Sequence, residues 1–285
     1  MQSVTTSEVA AEARESAGES ATGTSAKRRA HPALWVPTLY FAEGVPYTAV
    51  SVVAALMYKN LGISNTDIAI YTGSLYLPWA IKFAWAPITE MFKTKRHWVL
   101  GTQYAMALAL ACVALALPLP NFMGVTLAFF WVTGFLSATH DIAADGAYMA
   151  VTTAKEQAAW VGTQGLCWNG GKVVASGLLV TLTGYLFEKR LAGASGPEAE
   201  LHAWQYSWMI VMGVLAALMA LLGTWHLKVL PADTRSTATP TGVVEGLKAF
   251  LATLTSFFKK PGIWLGLVYI LLYRSGEGFI EKIGP

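Results

Sequence analysis

Apolar residues come in long runs along this chain, and polar residues fall mostly between them. Six runs are long enough to cross a bilayer as helices: about 34–58, 67–91, 98–118, 122–151, 160–187 and 204–230. A seventh begins at Ile263 and reaches the last residue, Pro285, unfinished. Short segments rich in Asn, Pro, Gly and Ser separate the runs, as in Asn60-Leu-Gly-Ile-Ser-Asn-Thr-Asp and Leu117-Pro-Leu-Pro-Asn. The pattern predicts an all-α, polytopic transmembrane bundle in four parts. Residues 1–33 form a disordered cytoplasmic tail and 34–230 a six-span unit. Residues 231–261 form a cytoplasmic linker with an amphipathic helix, and 262–285 an incomplete seventh span.

Composition narrows the class. Charged residues make up 13% of the 285 and apolar ones 54%, with a mean hydropathy of +0.46. Soluble domains carry about a quarter charged residues. A net charge of +3 gives no case for nucleic acid. Cys112 and Cys167 both lie in apolar runs and offer neither a disulfide framework nor metal spacing, so no metal and no cofactor is expected. The polar tail is no signal peptide, because the first apolar run starts near Leu34 and is too long for one.

Lysines and arginines set the orientation. With the N-terminus inside, the inner segments hold twelve: Lys27, Arg28, Arg29, Lys93, Lys95, Arg96, Lys155, Lys228, Arg235, Lys248, Lys259 and Lys260. The outer loops hold three: Lys59, Lys189 and Arg190. Twelve against three places the N-terminus in the cytoplasm. The stretch from Val243 to Lys260 carries apolar residues at helical spacing with lysines between them, the composition of a helix lying on the membrane surface.

The chemistry lies in the charges that interrupt the apolar runs. Asp141 and Asp145 stand four residues apart in the fourth run, on one helix face. A carboxylate at mid-membrane costs about 2.5–3.5 kcal/mol and is kept mostly where it handles an ion or a solute. Glu43, Lys82, Lys172, Arg274 and Glu277 lie at comparable depth in other spans. Charges of both signs on different helices must pair or face water, so these seven are expected to converge on one cavity. There the acids can carry protons, and the cations can neutralise them or bind an anionic solute. His140 is a possible relay beside Asp141. The competing reading is ion pairs that only hold helices together, and Asp145 can also sit at the membrane edge. Gly44, Pro46, Pro78, Gly134, Gly165, Gly170, Gly171, Gly177 and Gly184 interrupt spans, but only Glu43-Gly-Val-Pro and Asn169-Gly-Gly-Lys join a break to polar groups. Trp79, Trp85, Trp98, Trp160 and Trp204 read as interface anchors.

Four motifs, in order, resemble the AmpG-like muropeptide permeases of the major facilitator superfamily. They are Lys82-Phe-Ala-Trp-Ala-Pro in the second span, Glu90-Met-Phe-Lys-Thr-Lys-Arg in the loop after it, Phe135-Leu-Ser-Ala-Thr-His-Asp-Ile-Ala-Ala-Asp in the fourth and Leu272-Tyr-Arg-Ser-Gly-Glu in the seventh. The fifth span departs from the pattern, with Trp168-Asn-Gly-Gly-Lys where the family tends to have Tyr-Arg. The resemblance implies a proton-coupled symporter of the inner membrane that imports anhydro-muropeptides. Its partners are then a peptidoglycan fragment, protons and the lipid bilayer. It marks Lys82, Asp141, Asp145 and Arg274 as site residues, and Glu90, Lys95 and Arg96 as a cytoplasmic gating loop. The wider family also transports an acyl-CoA compound, so another anionic or zwitterionic solute is the alternative. Superfamily members have two six-helix halves. The unfinished seventh span therefore predicts a truncated product or fragment, and with it the hypothesis that residues 1–285 alone cannot alternate access.

An enzyme is not expected. Gly193-Ala-Ser-Gly matches a serine-nucleophile motif, but it lies in a polar loop with no following His in a span. Asp141 and Asp145 share one helix, whereas an aspartyl intramembrane protease needs two. Gly165 through Lys172 misses the phosphate-loop register by one residue. A non-transporting membrane scaffold is the remaining alternative, and it leaves the insertion cost of seven charges without a reason.

Overall fold

Pro46 lies in the middle of the first helix, where a residue without an N–H removes a backbone hydrogen bond. The computed structural model describes residues 30–232 and 243–266, with Val268, Tyr269 and Leu272, and it shows how the chain absorbs that defect. Helix α1 runs over Pro32–Asn60, and a single wide π turn at Ala49–Val53 follows the proline without ending the span.

The predicted span over 67–91 is not one helix. It consists of α2 (Asn65–Gly73), α3 (Leu77–Ile81) and α4 (Ala86–Met91), separated by tight turns at Ser74–Tyr76 and Lys82–Ala84. Pro78 and Pro87 explain both breaks, because each sits in the first turn of a new short helix, where its missing N–H costs nothing. Ser64 caps the start of α2 by accepting from the Asp67 N–H at 3.1 Å.

Four longer helices complete the bundle: α5 (Lys95–Ala116), α6 (Phe122–Val151), α7 (Ala154–Leu191) and α8 (Pro197–Val229). Thr153 and Glu156 form a reciprocal capping box at the start of α7, and a second π turn interrupts that helix at Val174–Leu178. With α1 these make five helices long and apolar enough to cross a membrane, and the described residues include no strand. The chain is a multi-pass membrane protein. A last helix, α9 (Val243–Phe258), packs against α4. Of the predicted seventh span, 262–285, the described residues are 262–266 with Val268, Tyr269 and Leu272, and the other 16 lie outside them.

Helix α1 is the centre of the bundle. It packs against α6, α7 and α8, while α5 packs against α6 and α8. Leu39, Val45, Val53, Met57 and Tyr58 of α1 are fully buried with Met106 and Leu110 of α5, Phe130 of α6 and Trp208, Met212 and Leu215 of α8. One turn of polar contacts crosses this core: His226 Nε2 meets Thr38 Oγ1 at 2.9 Å, and the Gln103 side-chain amide meets His226 Nδ1 at 2.9 Å. Outward, Val161, Leu166, Val173 and Leu178 of α7 stay exposed, as expected of a helix face in contact with lipid or another membrane helix.

Arg96 ties the start of α5 to the end of α8. Its guanidinium donates to the Leu227 carbonyl at 2.6 Å and the Leu230 carbonyl at 3.0 Å, two acceptors that the helix end leaves unsatisfied. Arg96→Ala is expected to cost about 1–2 kcal/mol. A lowered unfolding midpoint in detergent micelles is the check; an unchanged midpoint would mean that other contacts hold this corner.

Candidate functional site

Glu43 and Tyr47 are four residues apart on α1 and so project from one face. Ser137 and Asp141 have the same spacing on α6. The turns on either side of α3 turn Tyr76, Trp79 and Lys82 the same way, and α7 adds Trp168. These eight residues line one cavity of about 350 Å³, at the small end of the range for solute sites.

The Lys82 ammonium donates to Asp141 Oδ2, the ion pair that joins the broken second segment to α6. Both side chains remain partly open, which suits a pair facing a cavity. Lys82 begins the turn over Lys82–Ala84, so the break in the predicted second span is what sets its ammonium free of a regular helix. Glu43 is 5% exposed, and its Oε1 has no hydrogen-bond partner.

The cavity is aromatic on its other side. Tyr47 packs edge-on against Trp79 at 5.1 Å and tilted against Trp168 at 5.5 Å, and Tyr76 stacks on Trp79 at 6.2 Å. Trp79, expected as an interface anchor, lines the cavity. Trp85 donates to Thr139 Oγ1 of α6 at 3.1 Å, and Trp98 donates to the nearby Phe92 carbonyl at 2.6 Å.

The other predicted site residues fall in different places. Asp145 accepts from the Tyr40 hydroxyl at 2.9 Å and is not among the lining residues. The Tyr40 ring packs on Tyr148. Lys172 lies with its ammonium 4.5 Å from the Trp168 ring centroid, a cation–π contact directly behind the cavity wall. His140 is fully buried away from the cavity lining, and neither ring nitrogen makes a hydrogen bond. In the predicted gating loop, Lys95 is buried, reaches the Thr89 carbonyl at 3.4 Å, and lies against Gly146 of α6, where a Cβ would come within 2.8 Å of its Cε. Arg96 makes the helix-end contacts given above. The Glu90 side chain, Arg274 and Glu277 lie outside the described residues. Among the described residues no three His, Cys, Asp or Glu side chains group as metal ligands.

The sequence reading missed Tyr47, Tyr76, Ser137 and Trp168 as lining residues. Helical register was the available signal, since most of them stand three or four positions from a buried charge or a lining aromatic.

The chain is distantly related to known permeases. It is 26% identical over 252 residues to the anhydromuropeptide permease of Escherichia coli strain K12, a match covering 86% of this chain and 46% of that protein. The anhydromuropeptide permease of Escherichia coli O157:H7 matches with the same figures. The chain thus spans about half the length of the curated relatives it matches. No protein-family model matches it.

Proposed function

We propose that the chain forms the cavity-bearing unit of a secondary transporter of the inner membrane, with its N-terminus in the cytoplasm, that moves a small solute together with protons. The observation that carries this reading is the meeting of Glu43, Lys82 and Asp141, from three separate elements, at one cavity among apolar helices. Ionisable groups are costly there unless they are paired or handle an ion or a solute. Lys82 and Asp141 are paired, and Glu43 shares their cavity.

The leading solute is an anhydro-muropeptide, by distant relationship to permeases named for that substrate. The lining fits such a molecule in kind. Tyr47, Tyr76, Trp79 and Trp168 offer flat apolar surface, while Lys82, Asp141 and Glu43 offer charge and hydrogen bonds. Another anionic or zwitterionic solute, such as an acyl-CoA compound, would use the same groups.

Uptake in membrane vesicles tests the proposal. The whole reading frame is expressed in Escherichia coli lacking its own anhydromuropeptide permease, and labelled anhydro-muropeptide is offered across an inward proton gradient. Accumulation that a protonophore collapses is the expected result. Uptake no greater than in vesicles without the protein would overturn this substrate, and accumulation indifferent to the protonophore would overturn proton coupling.

A further inference from the structure

Among the described residues, Glu43 is the lining carboxylate whose buried Oε1 meets no hydrogen-bond donor. Among the described residues the cation lining the cavity is Lys82, and it is bonded to Asp141. The charged groups near enough to act on Glu43 are Lys82 from the second segment and Asp141 and Asp145 from α6. Tyr40, one turn back on α1, gives its hydroxyl to Asp145. On α7 the Lys172 ammonium rests on the Trp168 ring. Among the described residues, two lining carboxyl groups, Glu43 and Asp141, therefore share one lining cation. An ionised carboxylate buried without a donor costs several kcal/mol, whereas a protonated one is neutral.

We propose that Glu43 carries the transported proton and that Lys82 exchanges partners between Asp141 and Glu43. In the arrangement described here Glu43 is a neutral carboxylic acid and Asp141 is the carboxylate paired with Lys82. In the other arrangement the Glu43 O–H bond is broken and an Asp141 O–H bond is formed. Lys82, an ammonium throughout, then bonds to the Glu43 carboxylate. One proton and one ammonium are shared by two carboxyl groups in both states, so the exchange leaves the charge of the cavity unchanged. The move is a swing of the flexible Lys82 stem within the cavity that all three side chains line. Glu43 and Asp141 then alternate as acid and anion, and a solute that draws Lys82 or Asp141 to itself shifts the balance between them.

This proposal rests on the transporter reading of the same cavity, and infrared difference spectroscopy on the purified protein tests it without any transport. At neutral pH the wild type is expected to show the carbonyl stretch of a protonated carboxyl group. Glu43→Gln should lose that band, Glu43→Asp should keep a band of this kind, and Asp145→Asn should leave it in place. Lys82→Met should add a second band, because Asp141 then has no cation and takes a proton. In the vesicle assay Glu43→Gln should lose at least about 100-fold in proton-driven accumulation, the lower end of the usual scale for removing a proton-transfer group. Absence of the wild-type band, its survival in Glu43→Gln, or no new band in Lys82→Met would each overturn the proposal. If the wild type moves no anhydro-muropeptide, that substrate fails while the bands still decide the assignment of Glu43.

Discussion

Replacing Asp141 with Asn is expected to cut proton-driven accumulation about 100-fold, the scale of removing a proton-transfer group. The side chain keeps its size but can no longer balance the Lys82 ammonium or take a proton. Its partner then has Glu43 as the remaining lining carboxylate, so the cavity loses one of its two arrangements. Folding should suffer far less, because both side chains are partly exposed and such pairs contribute about 0–1 kcal/mol. The check is uptake normalised to the amount of protein in the membrane. A purely structural pair predicts the reverse pattern, in which protein level falls and activity per molecule survives. The double variant Lys82→Gln/Asp141→Asn separates the two readings further. A structural pair made neutral on both sides should regain its level, whereas a functional pair should keep its level and stay inactive.

How much of this was legible in the sequence differs residue by residue. Asp141 stood out because a carboxylate inside an apolar run has few inexpensive explanations, and Lys82 stood out for the same reason. Their pairing was not legible, since they are 59 positions apart and any of several cations could have served. The place of Trp79 in the cavity wall was not legible because tryptophan suits both a membrane interface and a cavity wall, and the sequence alone does not show which face it joins. A register rule would have recovered most of the wall. Tyr47 is four residues after Glu43, Ser137 four before Asp141, Trp168 four before Lys172, and Trp79 three before Lys82. The run over 67–91 hid its breaks because hydropathy averages over the two prolines that cause them. The buried contacts of His226 with Thr38 and Gln103 gave no signal at all, since each residue alone is ordinary and three helices are needed to bring them together.

Glycine shows the same limit, and it carries the second large prediction. Gly44→Ala and Gly171→Ala are each expected to destabilise the protein by about 3 kcal/mol, at the upper end for overpacking a close-packed interior. A Cβ on Gly44 would lie 2.1 Å from the Trp168 carbonyl oxygen, and one on Gly171 would lie 2.5 Å from that of Phe41. Both obstacles are backbone atoms, so no side-chain rotation relieves them and α1 and α7 must move apart. The glycines belong to the two segments that joined a break to polar groups, Glu43-Gly-Val-Pro and Asn169-Gly-Gly-Lys. Their crossing is what brings Tyr47 against Trp168. Gly165 and Gly184 lie on the same helix with open space where a Cβ would go. Alanine there should be neutral or stabilising by up to about 1 kcal/mol, the ordinary helix preference. Unfolding midpoints of the four variants in detergent test the contrast. A fall at Gly44 and Gly171 with none at Gly165 and Gly184 identifies the crossing as the seam that builds one wall of the cavity. Equal behaviour at all four would place the strength of the bundle elsewhere, and the position of Glu43 would then need another cause.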